Sequence, residues 1–134
     1  MMDRELIEQT KALLDLCRRK KLSIAAAESC TGGLLAATLT EIAGSSDVFE
    51  RGFVTYSNAA KQAMLGVGAE TLERHGAVSR ETARAMAQGA LAQAPVELAV
   101  SITRHRRTVR RNAEQAGGAH LSRRGGAQRP PARA

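Results

Sequence analysis

The sequence has almost no aromatic residues: no tryptophan, one tyrosine and two phenylalanines among 134 residues. Phe49, Phe53 and Tyr56 are the whole set. An aromatic platform on which nucleic-acid bases stack is therefore excluded, and the core must be aliphatic. Cysteine is scarce too. Cys17 and Cys30 are the only two, too few for a disulfide framework, which fits a reducing cytoplasm. No apolar run approaches the length of a membrane span. The first residues, Met1-Met2-Asp3-Arg4-Glu5, lack the apolar stretch of a secretory signal. Three scattered histidines without spaced acidic partners make a poor metal set.

What is present suffices for one domain. Hydrophobic residues make up 43% of the chain. The net charge of +7 is unevenly placed. From Arg104 onward there are nine arginines and one acid, Glu114, giving +8; the remaining 11 basic and 12 acidic side chains give residues 1–103 a charge of −1. The chain reads as a near-neutral domain over 1–103 with a basic appendix over 104–134.

Leu6, Ile7, Leu13, Leu14 and Cys17 recur at helical spacing and predict an amphipathic helix over 3–20. Ser23 to Ala27 is a short, small, apolar candidate strand. Leu34 to Ile42 reads as helix, closed by Gly44. Gly52 to Ser57 is rich in β-formers. Asn58 is placed to cap a helix over 59–65. A short helix over 69–74 precedes Gly76, and Ser79 caps a longer one that Pro95 stops near Gln93. Val96 to Ile102 is the third strand. Alternating helices and strands predict an α/β layered domain. Beyond Thr103 the segment has one Leu, one Val and no other large apolar residue. It cannot bury enough surface to offset its ordering entropy, so it is predicted disordered.

The chemistry-bearing residues fall at two strand ends. Ala27-Glu28-Ser29-Cys30-Thr31-Gly32-Gly33 puts a serine where a strand turns into a helix. Backbone N–H groups there can hold a developing oxyanion, and the glycines admit a close substrate. Tyr56-Ser57-Asn58-Ala59-Ala60-Lys61 ends the next strand and starts a helix. Both segments belong at the carboxyl edge of the sheet, where open α/β sheets bind ligands. A lysine activates a serine if desolvation keeps it neutral, and a tyrosine between them can relay the proton. Taken singly, each residue has a plainer reading: a serine before Gly-Gly as a helix cap, a lysine on a solvated face, Cys30 as a small apolar filler. Glu28 is open between catalysis and bonding to the turn's backbone.

AESCTGG (27–33), GSSDVFERGFVTYSNAAK (44–61), HGAVS (75–79) and VELAVSIT (96–103) together resemble the C-terminal domain of the competence/damage-inducible protein CinA, a family that includes nicotinamide-nucleotide amidohydrolases. The resemblance runs through residues 5–103. It implies a three-layer α/β/α sandwich and hydrolysis of the carboxamide of nicotinamide mononucleotide. It also implies a catalytic set of Ser29, Tyr56 and Lys61. Cys30, Thr31, Gly32, Gly33, Asn58 and Thr103 would line the substrate, with no metal or cofactor. A homo-oligomer is left open.

After the S-I-T strand, the family continues with a run like G-I-A-G-P-x-G-G and then T-P-x-K/R-P-V-G. Here Arg104-His105-Arg106-Arg107-Thr108-Val109-Arg110-Arg111 follows. With synonymous codons suitably chosen and read one nucleotide on, these eight residues allow G-I-A-G-P-S-G-G, and residues 112–118 allow T-P-S-R-P-V-G. The tail is thus expected to be a frameshifted reading of the family's last third, leaving the sandwich incomplete and one strand edge bare. Two rival functions follow: an inactive truncated fragment, and an unspecific nucleic-acid binder acting through the arginines.

Overall fold

The computed structural model describes residues 2–104 and 118–125. Helix α1 (Arg4–Lys20) is capped by the Asp3 carboxylate, which accepts from the Leu6 N–H at 2.8 Å. It leads into strand β1 (Ile24–Glu28), buried along its whole length. Helix α2 (Leu34–Thr40) follows, then a 3-10 turn at Ser45–Asp47 and strand β2 (Phe49–Val54). Helices α3 (Asn58–Leu65), α4 (Ala69–His75) and α5 (Arg80–Gln93) come before strands β3 (Leu98–Thr103) and β4 (Gly118–Arg123).

The sheet order is β2-β1-β3-β4. β1 runs parallel to both β2 and β3, and β4 lies antiparallel to β3. Side-chain alternation along β1 feeds two cores. Ala25 and Ala27 face Leu65, Leu72, Met86, Ala87 and Ala90 of α3, α4 and α5. Ile24 faces Leu14 and Cys17 of α1 and Leu39 of α2. Helices therefore cover both sides of the sheet, the three-layer α/β/α arrangement. Alanines in the central strand let α5 approach closely, which suits a core with so few aromatics.

Three expectations change. Asn58 does not cap α3. Ser57 does, its Oγ accepting from the Ala60 N–H at 3.0 Å, and Asn58 is the first helical residue. β2 begins three residues before Gly52 and ends before Thr55; an edge strand of a sheet tolerates charged residues such as Glu50 and Arg51. Residues 118–123 are not part of a structureless tail. They pair with β3 from Leu98↔Arg123 to Thr103↔Gly118, so the β3 edge is covered. The physical reason is that an open edge presents unpaired N–H and C=O groups that any extended segment satisfies, whatever its side chains. The disorder expected of 105–117 and 126–134 falls outside the described residues.

Candidate active site

β1 and β2 both end at the same edge of the sheet, and each delivers one half of the site. Ser29 follows β1 directly. Its N–H donates to Ile102 O at 3.0 Å, which anchors it against β3. The chain then turns through Gly32 and Gly33, whose φ values of 59° and 103° lie in the left-handed region that favours glycine. Thr55 follows β2, its N–H donating to Glu28 O at 2.8 Å. The Ser57 cap then starts α3, which places Lys61 one turn in.

Among the described residues Lys61 is the largest fully buried side chain, 1% exposed. Its Nζ donates to Ser29 Oγ at 3.1 Å, Thr55 O at 2.9 Å and Tyr56 O at 3.3 Å. Burial holds the Lys61 amine below the ordinary lysine range, and the nearby Cys30 sulfur opposes this in part. Three acceptors match the three N–H bonds of an ammonium. With one proton fewer, two N–H bonds keep the carbonyls and the lone pair faces the serine hydroxyl. One geometry thus serves both protonation states of a general base.

Glu28 is equally buried, and its role is now defined. Its carboxylate accepts from Thr31 Oγ1 at 2.7 Å, the Leu35 N–H at 2.8 Å and the Ala36 N–H at 3.0 Å. It holds the 29–33 turn and the start of α2 together. It also occupies the N–H groups that the sequence reading offered to an oxyanion at this helix start. Cys30 and Thr31, by contrast, have backbone N–H groups that meet no acceptor among the described residues.

The remaining expected site residues are placed as follows. Tyr56 contributes its carbonyl to Lys61, while its side chain is 62% exposed at the rim. Ser29 and Lys61 touch directly, so no group stands between them. Cys30 and Thr31 are half-buried in the turn, and Asn58 is exposed. Thr103 is buried, and its hydroxyl donates to Ala77 O at 2.7 Å, tying the end of β3 to the loop before α5. Among the described residues no group of three or more His, Cys, Asp or Glu side chains is placed to hold a metal ion. No helix among them is long and apolar enough to cross a membrane. The sequence did not single out Thr55, whose hydroxyl is buried without a partner among the described residues. Its place in a run of β-formers gave no hint of this.

A three-layer α/β domain with a serine and a buried lysine at the carboxyl edge of its sheet is the class these observations define. The chain belongs to the CinA C-terminal domain family, whose model matches residues 7–117. That span passes Thr103 into the arginine-rich stretch. The chain is 50% identical over 102 residues to a putative competence-damage inducible protein of Caldicellulosiruptor bescii, covering 76% of this chain and 24% of that one. It is 50% identical over 103 residues to nicotinamide-nucleotide amidohydrolase PncC of Escherichia coli K12, covering 77% of this chain and 62% of that enzyme. The matched region is thus about a quarter of the first of these relatives and under two thirds of the second. In fold it is similar to a competence/damage inducible protein of Agrobacterium tumefaciens, with a TM-score of 0.81 and 41% identity over 92% of this chain and 82% of that one. A CinA superfamily protein from Escherichia coli gives a TM-score of 0.79 at 26% identity, over 94% and 82% of the two chains.

Proposed function

We propose that this chain hydrolyses the carboxamide of nicotinamide mononucleotide, giving nicotinate mononucleotide and ammonia. The observation that carries the reading is the 3.1 Å contact between the Lys61 amine and the Ser29 hydroxyl in a buried setting. The substrate comes from the name of the PncC relative. Neutral Lys61 takes the Ser29 proton as Oγ bonds to the carboxamide carbon. Negative charge develops on the carbonyl oxygen, and the Cys30 and Thr31 N–H groups are the donors we assign to it. The C–N bond then breaks, and ammonia departs with the proton that Lys61 had accepted. Water attacks the acyl ester as Lys61 takes its proton; the bond from carbon to Ser29 Oγ then breaks, Lys61 returns that proton to Oγ, and the acid leaves. Tyr56 stands at the rim, where we assign its hydroxyl to the bound substrate and to the proton moving onto the leaving nitrogen. We assign Cys30, Thr31, Gly32, Gly33, Asn58 and Thr103 to the surroundings of the bound substrate.

Ammonia release from nicotinamide mononucleotide by the purified chain tests this reading. Ser29→Ala lowers turnover by roughly a thousandfold or more and leaves the circular dichroism unchanged. Normal turnover in the alanine variant overturns the assignment and makes Cys30 the next nucleophile to test.

A catalytically silent form is the second reading. It is favoured by one observation: arginines stand from residue 104 where the family's glycine run is expected. Activity that appears only when residues 104–118 are replaced by the frame-restored sequence supports it. Equal activity in both forms removes it.

A further inference from the structure

Thr55 is fully buried, and its Oγ1 has no hydrogen-bond partner among the described residues. A buried hydroxyl left unpaired destabilises a fold, and a valine of the same shape would avoid the cost. This residue is no bystander to the site. Its N–H holds Glu28 O, and its carbonyl is the closest acceptor of the Lys61 amine, at 2.9 Å. In the resting site Lys61 fills its three N–H positions with Ser29 Oγ, Thr55 O and Tyr56 O. Once Ser29 Oγ is bonded to a substrate atom, it is a poor acceptor, and at that moment Lys61 is an ammonium. One of its three N–H bonds then needs a new partner inside a buried pocket.

We infer that the Thr55 hydroxyl is that partner, a positioning group that takes up the Lys61 ammonium when Ser29 becomes covalently occupied. The inference rests on the serine–lysine reading above. It explains why an orphaned hydroxyl sits on the residue whose carbonyl already holds the lysine.

The test uses a fluorophosphonate probe on the full chain, so that it does not depend on carboxamide turnover. Ser29 Oγ attacks phosphorus, the P–F bond breaks, fluoride leaves and the proton passes to Lys61. Thr55→Val is expected to label roughly tenfold more slowly, the effect of one hydrogen bond to a charged group. Its thermal midpoint should equal or exceed that of the wild type. In the phosphonylated protein, the Lys61 titration followed by NMR at its ε-carbon should move to lower pH in Thr55→Val. Thr55→Ser should restore both the labelling rate and the titration. Wild-type labelling and titration in Thr55→Val overturn the inference, as does a lowered thermal midpoint, which would mean that the hydroxyl is already satisfied. A wild-type chain that does not label, or labels equally well as Ser29→Ala, overturns the underlying serine–lysine reading instead.

Discussion

At the scale of single residues, the buried lysine is the unusual element. An ammonium removed from water is costly, and three hydrogen bonds offset the cost only in part. The direction of the Lys61 shift sets two pH dependences. Its folded pKa lies below the 10.5 of a free lysine, with burial as the main cause. Between those two values the unfolded chain binds more protons than the folded one, so stability rises with pH across that window and falls as pH drops through the folded value. Chemical denaturation at several pH values should show this rise in the wild type and not in Lys61→Met. Turnover should rise as pH climbs through the folded value, where the amine loses its proton, and then level off. Lys61→Arg should be nearly inactive at every pH, because a guanidinium stays charged and cannot accept the serine proton. An arginine variant with near-normal rates would remove Lys61 from the role of base. The serine-to-lysine pairing was within reach of the sequence, since both sit just past strand ends. The burial of Lys61 was not. It depends on two backbone carbonyls, Thr55 O and Tyr56 O, and carbonyls leave no trace in residue identity.

At the scale of elements, α3 is what places Lys61, and α3 is held by α5. The contact is made at Gly89. A Cβ added there would lie 2.0 Å from Leu65 O and 2.8 Å from Leu65 C, atoms of the α3 backbone that cannot swing aside. Gly89→Ala must therefore push the two helices apart. We expect a loss of about 1–3 kcal/mol, typical of an overpacked core, read as a lower urea midpoint. The same displacement should lengthen the Lys61–Ser29 contact and slow turnover. An unchanged midpoint would show that the helices yield without cost. The helices themselves were readable because local rules agree: Ser79 caps α5, apolar residues recur at helical spacing, and Pro95 stops α5. The start of β2 was hidden because Phe49-Glu50-Arg51 mixes an aromatic with two charges, a pattern that an edge strand tolerates and that does not stand out as a strand.

At the scale of the whole molecule, β4 extends the sheet with the least strand-like sequence of the four described strands. Gly118-Ala119-His120-Leu121-Ser122-Arg123 offers one large apolar side chain, and Leu121 is exposed. No local pattern could announce such a strand, because its pairing is tertiary: β3 supplies the hydrogen bonds and β4 need only be extended. What fixes its end is Arg124. Its N–H donates to Glu97 O at 2.8 Å. Its guanidinium donates to Val96 O and Ala94 O, each at 3.1 Å, and also to Leu91 O. Two of these carbonyls close the end of α5, where orphan acceptors and a partial negative charge favour a cation. One side chain thus clamps β4, the approach to β3 and the last turn of α5 together. Arg124→Ala leaves those carbonyls without their donor. It should cost about 1–3 kcal/mol, since each lost bond strands a partly buried acceptor. It should also loosen β4 and bare the β3 edge, a template for pairing with other chains. The expected results are a lower denaturant midpoint and growth of light scattering on standing at high protein concentration. Arg124→Lys, which keeps the charge but not the forked donors, should recover only part of the loss. A midpoint and scattering equal to wild type in Arg124→Ala would mean that β4 holds its place on β3 through the strand ladder alone.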